Sequence, residues 1–279
     1  MGTQLLGLIA GGGVLPLRVA EAQHAAGGVF IIGLENEADP AIENFPHDYV
    51  SLGQLKGAAD KLLAAGCQDI VILGGIQRPK LETLEFDEGG TWFMEQVLAG
   101  KHTGDDQLLQ LIIAYFQTRG LSVQSPQTYL ASLMGKSGAQ TAHPHAAHQE
   151  DIDRAIEVAG VIGSADIGQS VVVAHKLVLA VEGPEGTDDM LARLQTLSPE
   201  FLGTASARRG VLAKLPKPQQ DRRVDLPTLG CRTVEGAAAA HLAGIVYQAD
   251  GALFDDFDAV VALAEEKGLF LLGLEGADR

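Results

Sequence analysis

The run Leu5-Leu6-Gly7-Leu8-Ile9 leads directly into three glycines, Gly11 to Gly13, and then into a helical pattern that begins near Pro16. An unbroken apolar run of this length is what a strand covered on both faces requires. Proline is favoured in a helix's first turn, and Gly27-Gly28 supplies a stop. The same unit then recurs. Val29 to Leu34 reads as a second strand, Leu55 to Ala65 as a helix closed by Gly66, and Asp69 to Leu73 as a third strand ending in Gly74-Gly75. A helix from Asp105-Asp106 to Gly120 and a short strand at Leu121 to Val123 complete the series. Strands alternating with helices imply a parallel sheet with right-handed crossovers, so residues 1–133 are predicted to form a Rossmann-like α/β domain.

Beyond Pro126 the pattern changes. Tyr129 to Met134 reads as a short helix, and residues 134–148, rich in Gly, Ser, Ala and His, as a linker. A helix at Glu150 to Val161 precedes a β-hairpin, Val171–Val173 and Leu177–Glu182, turning at Ala174-His175-Lys176. Helices at Asp188–Leu197, Val234–Ala243 and Phe257–Lys267 alternate with strands at Val211–Leu215, Ile245–Gln248 and Leu269–Leu274. The expected fold class is therefore α/β, with the parallel-sheet domain followed by a distinct mixed α/β domain over residues 149–279.

Charge narrows the function. The chain carries a net charge of −16 over 279 residues, which argues against general binding to nucleic acid. Yet Arg208 to Arg232 holds seven basic residues against two acids, Asp221 and Asp225. That stretch is either a solvated basic face or a phosphate-binding patch. The N-terminus has no secretory pattern, no stretch approaches a membrane-spanning length, and Cys67 and Cys231 show no motif spacing. A soluble cytoplasmic protein is expected.

Gly11-Gly12-Gly13 sits where a phosphate-binding loop would, since glycine lets backbone approach an anion at a helix start. Pro16 occupies the third glycine position of the dinucleotide fingerprint, so a tight turn explains the loop equally well. Gly74-Gly75-Ile76-Gln77-Arg78 follows the third strand and faces the same side, with Gln77 and Arg78 available to a base or phosphate. Asp105-Asp106 either caps a helix or joins a site. His143, His145 and His148 match no standard zinc spacing and read as solvated polar residues.

The densest region is Lys214 to Gly230. Pro216, Pro218 and Pro227 hold it out of a helix. Lys214, Lys217, Arg222 and Arg223 supply cations around Asp221 and Asp225. Cations that clamp phosphate oxygens, with a carboxylate that holds Mg²⁺, are what phosphoryl chemistry needs. Glu185-Gly186-Thr187-Asp188 either caps the following helix or receives a phosphate there.

Taken in order, these segments resemble the LpxI-type UDP-2,3-diacylglucosamine pyrophosphatases of lipid A biosynthesis. The resemblance spans nearly the whole chain. It rests on Gly7-Leu8-Ile9-Ala10-Gly11-Gly12-Gly13-Val14-Leu15-Pro16, Gly74-Gly75 with Arg78-Pro79, Gly104-Asp105-Asp106, Glu185-Gly186-Thr187-Asp188, and Lys217-Pro218 with Asp221, Arg223 and Asp225-Leu226-Pro227-Thr228-Leu229-Gly230. It implies a site between two domains and a magnesium-dependent hydrolysis to UMP and 2,3-diacylglucosamine 1-phosphate (lipid X), with manganese as an alternative ion. Asp225 would hold the metal. Asp221 and Asp188 would assist it, and Lys214, Lys217 and Arg223 would offset charge. Gly11, Gly12, Gly13, Gln77, Asp105, Thr187, Gln220 and Thr228 would bind substrate. The implied partners are the UDP-linked acylated glucosamine, its lipid product and, transiently, the inner face of the inner membrane, with the acyl chains held by the second domain; a homodimer is left open. Two rivals remain: a non-catalytic nucleotide-sugar sensor, and a sugar-modifying enzyme using a nucleotide cofactor.

Overall fold

A computed structural model describes residues 5–76, 84–99, 105–198 and 200–275, with backbone alone at Asp105 and Asp106. The chain divides into two compact units, Met1–Ala131 with Asp221–Asp225, and Ser132–Gln220 with Leu226–Arg279. The sequence reading differs in two ways: it ends the first domain at 133, and it does not return residues 221–225 to it.

The first unit is a five-stranded parallel sheet. Its strands are β1 (Leu6–Ala10), β2 (Val29–Leu34), β3 (His47–Val50), β4 (Asp69–Leu73) and β5 (Ser122–Val123), in spatial order β3-β2-β1-β4-β5. The order reverses between β1 and β4, where Leu6 pairs with Val29 on one side and Asp69 on the other. Such a switch point places the loops after β1 and β4 side by side. Helices α1 (Leu15–Ala26), α2 (Leu55–Ala64), α3 (Glu88–Leu98) and α4 (Asp105–Thr118) complete the unit. Ile32, Leu62, Ile70 and Ile113 are fully buried in its core, each such side chain stabilising the fold by roughly 1.5–3 kcal/mol.

Among the strands and α-helices of this unit, two escape the sequence reading. β3 is an edge strand, His47-Asp48-Tyr49-Val50, in which only Val50 is buried, so no apolar run marks it. α3 opens with Glu88-Gly89-Gly90, a poor helical start by propensity. It forms because Asp87 caps it, accepting from Gly90 N–H at 2.8 Å, and because the two glycines lie against the backbone of Gly53 and Lys56. The short helix expected at Tyr129–Met134 is instead two 3-10 turns, Pro126–Thr128 and Ala131–Leu133.

The second unit is built on a mixed six-stranded sheet in the order β6-β13-β11-β9-β7-β8. β9 (Val211–Lys214), β11 (Gly244–Gln248) and β13 (Phe270–Leu274) run parallel. β6 (Gly138–Ala139) is antiparallel to β13, and the hairpin β7 (Ser170–Ala174) and β8 (Leu177–Val181) is antiparallel to β9. A separate parallel pair, β10 (Thr228–Leu229) and β12 (Leu253–Phe254), directly precedes helices α7 (Cys231–Ala239) and α8 (Phe257–Lys267) in sequence; α5 (Gln149–Ser164) and α6 (Gly186–Leu194) come earlier in the unit. The rings of Tyr247, Phe254 and Phe257 stack edge-on at 5.0 and 4.9 Å in its core.

Residues 134–148 are not a free connection. Gly138–Ala139 extends the sheet, Tyr247 donates its hydroxyl to the Lys136 carbonyl at 2.7 Å, and Thr141 bonds Leu269 and Leu271. A polar, small-residue segment reads as a linker when its hydrogen bonds are made by backbone. Its histidines are likewise engaged: His143 meets Glu265, while the rings of His145 and His148 lie against Phe270.

Candidate functional site

In the second unit, a cavity of about 460 Å³ opens beside the end of β9. Polar side chains rarely sit at the end of an apolar strand without a role. Here four of them are buried together. Ser170 is fully buried, Glu182 and Thr187 are each 6% exposed, and Lys214 is 7% exposed. Ser170 and Lys214 are direct partners across β7 and β9, so their side chains leave the same face of the sheet. Glu182 ends the hairpin, its N–H donating to the Ser170 carbonyl at 2.9 Å. Its carboxylate accepts the Gln169 N–H at 2.9 Å and the Thr187 hydroxyl at 2.7 Å. Thr187 and Ser170 oxygens are 3.0 Å apart.

Two helices begin at this cavity. α6 starts at Gly186 with no side-chain cap, and Asp188 and Asp189 fill its first turn. α7 starts after Gly230, also without a side-chain cap of its own. Uncapped first turns present N–H groups to the cavity. Gly230 is required by packing: any side chain there would collide with the Asp255 carboxylate. Burial raises the Asp255 pKa, and the N–H groups of Asp256 and Cys231 partly offset this. Arg232 at the rim pairs with Asp188 at 3.2 Å, a mostly exposed contact of small energetic weight.

In the first unit, the segment Asp221–Asp225 is held by its own charges. Arg223 grips Asp221 through Nε at 3.0 and 3.1 Å and through Nη2 at 2.6 Å, and Gln110 donates to the same carboxylate at 2.9 Å. The guanidinium is the main reason that the Asp221 pKa falls to about 2. The Asp225 N–H then bonds the Asp221 carbonyl at 3.1 Å, so the clamp sets where Asp225 begins. Val224 packs on the first core.

The glycine loops of that unit are joined to each other. Gly12 N–H donates to the Gly75 carbonyl at 2.7 Å, and Gly75 N–H to the Gly12 carbonyl at 2.9 Å. At Gly74, φ is +108°, and an added Cβ would lie 2.7 Å from the Gly11 carbonyl carbon. The glycines are therefore demanded by backbone-to-backbone contact. Gly13, with φ of +93°, and Gly75 have open space on their Cα side. Another cavity of the unit, about 630 Å³, lies at the other end of the strands, among Leu5, His24, Gly28 and Phe30.

Comparison with known proteins decides the family. Residues 5–133 match the LpxI N-terminal domain and residues 136–272 the LpxI C-terminal domain. This chain belongs to the LpxI family. The UDP-2,3-diacylglucosamine pyrophosphatase LpxI of Caulobacter vibrioides is 40% identical over 278 residues, covering 98% of this chain and 99% of that protein. Among solved structures, the CobK precorrin-6A reductase is similar over 98% of this chain and 88% of its own, at 12% identity and a TM-score of 0.38; nothing is drawn from so low a score.

Of the residues the LpxI resemblance nominates, Lys214, Thr187, Asp188 and Thr228 line the cavity beside β9. Asp221, Arg223 and Asp225 lie together in the first unit's returning segment. Lys217 is elsewhere: its ammonium bonds Asp166 at 2.6 Å, and its N–H donates to Gln220 Oε1 at 2.9 Å. Gln220 is buried, with its Nε2 lacking a partner among the described residues. Gly11 and Gly12 are taken up by the loop-to-loop contact. Gln77 and Arg78 lie outside the described residues, as does the side chain of Asp105, the first residue of α4. The sequence reading passed over Ser170 and Asp255, and took in Glu182 only as the last residue of a hairpin strand and the first of the segment running to Asp189, without a role.

Proposed function

We propose that the chain hydrolyses the pyrophosphate bond of UDP-2,3-diacylglucosamine, releasing UMP and 2,3-diacylglucosamine 1-phosphate. Membership of the LpxI family with 40% identity over nearly the full length to a pyrophosphatase of that specificity carries the reading. The second unit's cavity supports it. Lys214 is a cation buried in the wall, and the first turns of two helices offer N–H groups, which is how a diphosphate is received.

Magnesium fits the donor set in a particular way. Among the described residues no three His, Cys, Asp or Glu side chains converge to form a metal cage. Mg²⁺ is commonly held by one or two carboxylates and otherwise by substrate phosphates and water. Asp225 is the carboxylate we assign to it, on the resemblance to the LpxI family, while Asp221 is bound by Arg223 and Gln110. When bound, the metal supplies neutralisation of the diphosphate charge. Lys214 stabilises charge on the departing phosphate, and Arg232 supplements it at the rim. Asp221 and Arg223 hold the backbone that presents Asp225. Lys217 secures the loop through Asp166.

Among the described residues no helix is long and apolar enough to cross a membrane. An acylated substrate nonetheless resides in a bilayer leaflet, so the enzyme meets the inner membrane's surface to collect it. The test is turnover of UDP-2,3-diacylglucosamine by the purified chain with magnesium, with chelator, and in Asp225→Ala. We expect UMP release that disappears with chelator and in the variant. A wild-type chain inert with every divalent ion would overturn the hydrolase reading; an active Asp225→Ala would overturn the metal assignment alone.

A further inference from the structure

Glu182 is the most buried carboxylate of the cavity, and both its oxygens are occupied by donors. A carboxylate only accepts hydrogen bonds, so the Thr187 hydroxyl proton must point at Glu182 Oε1. A hydroxyl has one proton. The 3.0 Å contact between Thr187 and Ser170 is therefore donated by Ser170. The chain of donation runs in one direction, from Ser170 to Thr187 to Glu182, and the other carboxylate oxygen is fixed by the Gln169 N–H at 2.9 Å. Two consequences follow. Glu182 is held in place by a donor on each of its two oxygens. Thr187 has no proton left to donate to a phosphate, so its contribution to the cavity is its backbone.

We propose that Glu182 is a positioning residue for the hydrolysis. By taking the Thr187 proton, it ties the first turn of α6 to the ends of β7 and β8, on the sheet face that Lys214 shares with Ser170. The wall that meets the diphosphate is then held in one arrangement. This rests on the hydrolase reading of the same cavity.

Thr187→Val keeps the shape and removes the proton; Thr187→Ser keeps the proton. In Glu182→Gln, one amide oxygen faces two donors, so one link of the chain is lost or reversed. We expect kcat to fall roughly 10- to 100-fold in Thr187→Val and in Glu182→Gln, with the double variant no worse than the poorer single one. Thr187→Ser should stay within about threefold of wild type, which a purely space-filling role for Thr187 would not require. Should Glu182→Gln fail to fold, Ser170→Ala cuts the same chain one bond further away and should lose activity by a smaller factor.

Wild-type kcat in Thr187→Val, or losses that multiply in the double variant, would overturn the positioning role while leaving the hydrolase standing. A Thr187→Ser variant as poor as Thr187→Val would do the same. A wild-type chain without turnover removes both.

Discussion

The two units solve the same problem, bringing chain segments into close approach, by opposite means. In the first, backbone meets backbone: Gly11 and Gly12 lie on Gly74 and Gly75 with no side chain between them. In the second, buried polar side chains meet each other, with Ser170, Thr187 and Glu182 linked in a chain beside Lys214. Backbone contact of the first kind needs no chemistry and ties together the loops that follow two interior strands. Burying charge and hydroxyls costs stability unless every group is matched, so a cluster of the second kind marks where a protein accepts that cost for function. A glycine-rich loop is therefore weaker testimony to a ligand than a buried lysine.

Lys214 should separate the regions most sharply. Lys214→Met keeps the length of the stem and removes the charge, and turnover should fall about 10²- to 10³-fold, while a thermal melt still shows a folded protein. Steady-state kinetics beside a thermal melt reads both quantities; a variant retaining full activity would remove the cavity from the chemistry.

Gly74→Ala probes the other region. The added Cβ would meet Gly11 backbone at 2.7 Å in a left-handed conformation, so a stability loss of about 3 kcal/mol is expected, visible as an earlier denaturant transition. If the glycines instead served a phosphate, activity would drop with the transition unmoved.

Asp221→Asn has the smallest expected effect. The folded carboxyl sits near 2, below the ordinary value of about 3.9, so its contribution is complete above pH of about 4 and is lost as pH falls toward 2. The partly exposed Arg223 limits it to about 1–2 kcal/mol. Melts of wild type and variant should differ at neutral pH and converge near pH 2; a constant gap would mean that shape, not charge, holds the segment.

Much of the architecture is legible in the sequence because it depends on local periodicity. Val29 to Leu34 is a strand at its expected bounds, and α8 begins and ends where its apolar spacing and Gly268 require. β3 and α3 are not legible, since an edge strand buries little and Gly89-Gly90 opposes helix until Asp87 and Gly53 are in place. The ordered motifs also sufficed to point to the LpxI family.

What the chain's sequence determines by itself is thus the alternation of strands and helices, the family, and the density of charge between Lys214 and Gly230. Only tertiary structure decides which of those charges are spent. Asp221 on Arg223, Lys217 on Asp166 and Thr187 on Glu182 are pairings across 2, 51 and 5 residues, and a proton or an ion pair is allotted by distance in space. The order of residues along the chain carries no measure of that distance until the sheet has closed.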